Sequence, residues 1–298
     1  MNILLTNINL VIPGGTESWI KVMQRGLLAL GHNVDVYTTA IGPFAKNLLD
    51  PVINDVNMLK SEYDLILCNH TIPTEQIKSI KGYKINTCHG KLQVELCSPY
   101  ADAYVTVSKE LQEFIKTNMG IQTELIPNPV IINENVKFPE VVKRVYSLCQ
   151  NNELNSRLTS LCALNNIDFS CNNKFNSDAI MDSTEKIREA DVVISIGRGV
   201  YEAMAEGKGV VVLDSRDYQG LLADGCLGPE NFEKSYENNC TGRSFRMIPT
   251  DEQIISWIKE APKFSSFLYN TAKDRFAVNT VINKYFDIFN IKGILCDK

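Results

Sequence analysis

The segment Asp191–Asp214, DVVISIGRGVYEAMAEGKGVVVLD, constrains the fold more than any other stretch of the chain. Val192–Ile196 is a short apolar run rich in β-branched residues, the pattern of a strand covered on both faces. Gly197-Arg198-Gly199 breaks it, Tyr201–Glu206 reads as a helix, and Gly207 stands where a helix C-cap belongs. Gly209–Leu213 is a second buried strand. Two such strands joined by a short helix form a parallel βαβ unit. Ligands of these units sit at the carboxyl ends of the strands, against the helix N-terminus. That place holds Gly197, Gly199, Arg198 and, within the predicted first helical turn, Glu202. Glycines let a diphosphate reach backbone N–H groups, the Arg198 guanidinium can fork onto phosphate, and the Glu202 carboxylate can accept both hydroxyls of a ribose. The chemistry suits a nucleotide sugar. The plainer reading of the same residues is a glutamate that favours the helix dipole and a solvated arginine.

The amino-terminal end repeats the plan. Asn2–Asn7 is a strand, VIPGGTE (Val11–Glu17) a tight loop, and the helix that follows runs to about Leu30, with Thr16 as its expected cap. Asn33–Thr38 alternates as a second strand. The spacing GxGxxG of a dinucleotide fingerprint is absent, since Gly14 and Gly15 are adjacent. Further strands are expected at Tyr63–Asn69, Lys84–Cys88, Ala103–Val107 and Glu124–Ile126, with Ser108 capping a helix to about Lys116. Pro127-Asn128-Pro129 and the polar Asn133–Asn135 read as a linker, because two prolines fix extended backbone. Past it, Arg144–Leu148 and Asp168–Ser170 are expected strands. Asn152–Leu164, Ser183–Glu189, Asp251–Glu260 and one long Ser265–Phe289 segment are expected helices.

The string GRGxxEAMAxGKxVVV, with GGxE near the start and the blocks YDLI, HG, VS and IPNP between, resembles the GT-B glycosyltransferases, in particular the retaining group called family four. The resemblance spans about residues 1–290 and is most specific at Gly14–Glu17, His89-Gly90 and Gly197–Val212. It implies an α/β chain of two Rossmann-like domains facing across a cleft: residues 1–130 for the acceptor and 131–298 for the nucleotide sugar. The last helix, about 265–290, would cross back to the first domain. It also implies roles. His89 and Arg198 would be catalytic. Gly14, Gly15, Gly197, Arg198, Gly199, Glu202, Lys208 and Arg243 would bind the donor, and Glu17 and His70 the acceptor. Two positions depart from the family pattern. A glutamate usually stands eight residues before Glu202, where this chain has Ile194. The arginine and lysine that neutralise the donor diphosphate are missing from YSLCQNNELNSR, which has no cation before Arg157. Arg198 is the best substitute, with Lys208 and Arg243 behind it.

Composition narrows the remaining choices. With 298 residues and 44% hydrophobic content, two domains of ordinary size are affordable. A net charge of −5 argues against a broad nucleic-acid footprint and against strong attraction to anionic lipid. Nine scattered cysteines without a CxxC pair, and no signal-peptide pattern, point to free thiols in the cytoplasm. No apolar run approaches a membrane span. Neither a metal-holding acidic pair nor a cofactor motif is evident, so the expected reaction is metal-independent transfer from a UDP- or GDP-linked sugar. The acceptor would be a glycan, a lipid-linked precursor or a cell-surface polysaccharide precursor. A non-catalytic nucleotide-sugar-binding subunit and a GT-B epimerase are the alternatives.

Overall fold

The computed structural model describes residues 1–48, 51–173, 176, 180–216 and 219–293. The chain divides into two compact units, Met1–Pro129 with Val278–Lys298, and Val130–Ala277.

The first unit carries a seven-stranded sheet in the order β3-β2-β1-β4-β5-β6-β7. Its elements are β1 (Asn2–Asn7), α1 (Gly15–Ala29), β2 (Asn33–Thr38), β3 (Val52–Ile53), β4 (Glu62–Asn69), α2 (Thr71–Gln76), β5 (Lys81–Cys88), β6 (Ala103–Thr106), α3 (Lys109–Met119) and β7 (Glu124–Leu125). Every neighbouring pair is parallel. The strands are therefore buried on both faces, and their last residues line one edge. Ser108 caps α3 as its position predicts, accepting the Leu111 N–H. Thr16 does not cap α1. That helix starts earlier, with Gly14 as its N-cap and no side-chain cap.

The second unit has a five-stranded sheet in the order β12-β11-β10-β8-β9. It is built from β8 (Arg144–Ser147), α4 (Asn152–Leu164), β9 (Asp168–Cys171), α5 (Thr184–Glu189), β10 (Val192–Ser195), α6 (Arg198–Ala205), β11 (Gly209–Arg216), β12 (Gly220–Cys226), α7 (Phe232–Glu237), α8 (Asp251–Glu260) and α9 (Ser265–Arg275). The β10–α6–β11 core is the parallel βαβ unit that Asp191–Asp214 predicts. The β11–β12 pair is antiparallel, a hairpin that no alternation in residues 214–226 announces. Apolar clusters cover both faces of the sheet, one built around Tyr201, Met204 and Phe276, the other around Leu158, Ile194 and Ile258.

The long carboxyl-terminal segment is two helices, not one. After α9 the chain breaks at Phe276-Ala277, where Val130 N–H takes the Phe276 carbonyl and Val130 bridges Ala277. The last helix, α10 (Val278–Ile288), packs on α1 in the first unit, where Val281, Ile282 and Tyr285 are buried. Gly26 allows that approach. A Cβ there would lie 2.4 Å from Val278 Cγ2 and 2.8 Å from Ile282 Cδ1. Among the described residues no helix is long and apolar enough to cross a membrane.

Candidate functional site

In the second unit the carboxyl end of β10 turns at Gly197, whose φ of 58° and ψ of −128° suit glycine alone. The turn is anchored from a distance: Gly197 N–H donates to the Cys240 carbonyl at 2.9 Å, and the Tyr201 hydroxyl donates to Asn239 Oδ1 at 3.0 Å. Helix α6 begins at once, at Arg198, three residues before the predicted start. Gly199 therefore lies inside the helix. It is glycine because of packing, since a Cβ would meet Ser195 Oγ at 2.3 Å and Leu148 Cδ1 at 2.8 Å. The same shift places Glu202 one turn further along than predicted, four residues after Arg198. That spacing puts both side chains on one helix face. Arg198 Nε donates to Glu202 Oε1 at 2.9 Å, with the arginine side chain 7% exposed and the glutamate 30%. Burial pulls the Arg198 pKa down and the Glu202 carboxylate pulls it back up.

Two other cations behave differently. Lys208 does not join this cluster. It precedes β11, so it lies at the amino edge of the parallel sheet, the opposite end from Gly197. Its Nζ donates to the Arg188 carbonyl at 2.7 Å, and burial lowers its pKa. Arg243 follows Gly242 in the loop after α7, three residues past the Cys240 that holds Gly197. The carboxylate of Asp224, 1% exposed, organises that loop by accepting N–H bonds from Gly242, Ser244 and Phe245 and the Ser235 hydroxyl. Sequence reasoning missed Asp224, the Asn239-Cys240 turn, and Arg216. Arg216 stands at the carboxyl end of β11, its Nε 2.9 Å from Asp214 Oδ2. Arg157 is occupied by Asp251 and the Pro249 carbonyl. Ile194, where the family pattern has glutamate, is fully buried in the core.

In the first unit, the carboxyl edge of β1, β4 and β5 gathers polar groups around the start of α1. Gly14 caps that helix, and a Cβ on Gly15 would meet nothing within 4 Å, so its backbone is open to approach. Asn7 Nδ2 donates to Glu17 Oε1 at 3.2 Å, and His89 Nε2 lies 3.0 Å from Asn69 Oδ1. The Trp19 ring meets His89 edge-on at 5.9 Å. Asn7 Oδ1 and Asn69 Nδ2 are enclosed without a hydrogen-bond partner among the described residues, and each such orphan costs about 1–3 kcal/mol. Glu95, on the short turn after β5, lies against Gly90, where a Cβ would come within 2.1 Å of its Oε2. Burial, then the charge of Glu17, push the Glu95 carboxyl pKa up. The end-of-strand asparagines in LLTN and LILCN were the available signal for Asn7 and Asn69; Glu95 left none.

His70 is a fastener. It is 4% exposed, its Nδ1 accepts the Ile8 N–H at 3.3 Å, and its carbonyl accepts the Thr74 hydroxyl. Its φ of 68° and ψ of 147° fall where only glycine is unstrained. A side chain so enclosed is poorly placed to take an acceptor, against the sequence expectation. Burial lowers its pKa to about 4. Because the folded value is depressed, the neutral ring's full contribution is present above the unfolded value of about 6.5. It is lost as pH falls through 4, about 3 kcal/mol in all. Urea titrations between pH 7 and 4 should show this acid limb. His70→Asn keeps an acceptor for Ile8, carries no titrating ring, and should flatten it. An unchanged limb would assign the loss to other groups.

No family model matches the chain, and no curated protein matches it by sequence. Solved structures do. A glycosyltransferase from Rickettsia africae ESF-5 has a TM-score of 0.56 at 14% identity, covering 97% of both chains. The pneumococcal O-GlcNAc transferase GtfA, solved with UDP and GlcNAc, has a TM-score of 0.58 at 9% identity, covering 97% of this chain and 98% of its own. An α-glucosyltransferase solved with UDP and a 13-mer DNA containing an HMU base has a TM-score of 0.58 at 11% identity, covering 97% of this chain and 99% of its own. The chain therefore has the α/β fold of the GT-B glycosyltransferases, along nearly its whole length.

Proposed function

We propose that this chain is a glycosyltransferase, moving a sugar from a nucleoside-diphosphate donor to a hydroxyl of an acceptor. The observation that carries the reading is the carboxyl end of β10, where the Gly197 turn, the start of α6 and the Arg198–Glu202 pair meet. Glu202 holds the ribose. In the reaction the acceptor oxygen bonds to the anomeric carbon as the carbon–oxygen bond to the diphosphate breaks, and negative charge grows on the leaving group. Arg198 and the α6 N-terminus stabilise that charge, the dominant task in such a step. Arg216, at the carboxyl end of β11, and Arg243, in the loop whose Cys240 holds Gly197, are the further candidate cations. The first unit binds the acceptor, with Glu17 at its polar edge; the Gly14-Gly15 backbone keeps its donor-binding role and His89 its catalytic one. Retention at the anomeric carbon, membership of family four and a glycan or lipid-linked acceptor are what the resemblance implies, and a cytoplasmic site of action is what the scattered free thiols suggest.

A thermal-shift panel of nucleoside diphosphates and their sugars tests the reading, beginning with UDP because two of the similar structures hold it. A ligand at 100 times its Kd should stabilise by about 2.7 kcal/mol. No response to any member would contradict the proposal. With the donor in hand, slow hydrolysis of the nucleotide sugar separates an enzyme from a binding subunit, which shows none.

Metal dependence is a further test. Among the described residues no three His, Cys, Asp or Glu side chains are grouped to hold an ion. Activity should survive EDTA. Complete loss, restored by Mn²⁺ or Mg²⁺, would require a different account of the leaving group.

A further inference from the structure

β5 ends at Cys88, and the chain returns to it nine residues later. Cys88 Sγ and Cys97 Sγ lie 3.7 Å apart, within hydrogen-bond contact. Cys88 is fully buried and Cys97 is 8% exposed. Both pack with Leu111 and Ile115 of α3 in an apolar surrounding. Between them run His89, Gly90 and the short turn Gln93–Glu95. These are the residues that set His89 on Asn69 and lay Glu95 against Gly90. The sulfurs of Cys149 and Cys226, by contrast, face backbone carbonyls.

We propose that Cys88 and Cys97 form a reversible thiol-oxidation site, which a low-molecular-weight disulfide converts into an intramolecular bond strapping the loop that carries His89, Gly90 and Glu95. The sulfurs need close only from 3.7 Å to a bonded ~2.05 Å. Exposure divides their roles. Cys97, the more exposed, is the thiol that an oxidant reaches and so the attacking thiolate. Either sulfur can donate to the other, and with Cys88 as the donor the Cys97 thiol pKa is lowered and that of Cys88 raised. In the first step Cys97 sulfur bonds to one sulfur of glutathione disulfide, and the other glutathione leaves as thiolate. In the second, Cys88 gives up its proton and attacks the Cys97 sulfur, expelling the second glutathione. Two protein thiols are oxidised, one glutathione disulfide is reduced to two thiols, and the two protons end on them. The strap is a property of the first unit alone and holds whether or not the transferase reading does.

The test uses the full-length protein and glutathione disulfide at neutral pH. After quenching, the chain is unfolded, alkylated and mapped by peptide mass. Cys88 and Cys97 should be found joined, lighter by two hydrogens and unalkylated, and dithiothreitol should restore both thiols. The bond should form at least about tenfold faster than in the urea-unfolded chain, because the fold holds the sulfurs together. Native amide exchange across residues 89–96 should slow on oxidation. Cys88→Ser should stall at a glutathione adduct on Cys97, and Cys97→Ser should leave Cys88 unmodified. Alkylation of both thiols, a lasting adduct on wild-type Cys97, or equal rates in the folded and unfolded chain would overturn the proposal.

Discussion

Arg198→Ala should lower turnover by about 10²–10³-fold while weakening nucleotide affinity far less. Removing one preorganised group that meets charge in the transition state costs a factor of this size. The cation matters most as the diphosphate departs, when its charge is greatest, so the loss belongs in kcat. Position supports the role. The guanidinium is 7% exposed, held at 2.9 Å by Glu202, and anchored in the first turn of α6. A held cation needs little rearrangement when charge develops. Arg198→Lys keeps the charge, loses the planar fork, and should fall between the two. Steady-state kinetics with saturating donor decide the matter. Unchanged kcat with a raised KM would make Arg198 a binding group only.

Glu202→Ala should weaken nucleotide binding by about ten- to a hundredfold, the worth of one or two hydrogen bonds from ribose hydroxyls to a charged acceptor. The structure adds a second effect that the sequence does not show. Glu202 is the partner of a nearly buried arginine, so its removal leaves Arg198 without that carboxylate. Breaking a fully buried ion pair costs about 3–5 kcal/mol. With Glu202 30% exposed, about 1–3 kcal/mol is expected here, a drop of several degrees in Tm. Glu202→Gln retains an acceptor for both Arg198 and ribose and should lose less on each count. Calorimetry for affinity and a melting curve for stability separate the two effects. A variant that melts lower yet binds as tightly as wild type would reduce Glu202 to a structural partner.

The strand–turn–helix–strand plan at Asp191–Asp214 was legible because β-branched apolar runs and glycines are local signals. The start of α6 was not, because Gly199 looks like a breaker in sequence. Only the contact with Ser195 and Leu148 shows it to be a close-packed helical residue. The hold of Cys240 on Gly197 is invisible for a related reason. It joins residues far apart in the chain, through Asn239 and Cys240 at positive φ, and although asparagine is a turn former, nothing local says that the turn reaches Gly197. Lys208 was assigned by its place in a matching string. The polarity of parallel strands, readable from the βαβ pattern itself, puts it at the amino edge. His70 likewise stood at a strand end among expected ligand groups, and burial makes it a fastener of the β1–α1 loop. The single long carboxyl-terminal helix failed because apolar spacing continues through Phe276 and Ala277. The break comes from Val130 taking a carbonyl there. Glu95 had no signal at all, since its position depends on the fold of the loop between Cys88 and Cys97.

The central claim is that the second unit holds the nucleotide at the carboxyl end of β10. Native amide exchange of the full-length protein, measured with and without saturating UDP or the nucleotide that the panel selects, tests it most directly. Protection is expected at Gly197–Tyr201 and in the Asn239–Gly242 turn, the backbone that the proposed function puts at the diphosphate. Nucleotide that protects neither segment, or protects only Gly14–Trp19 in the first unit, would contradict it.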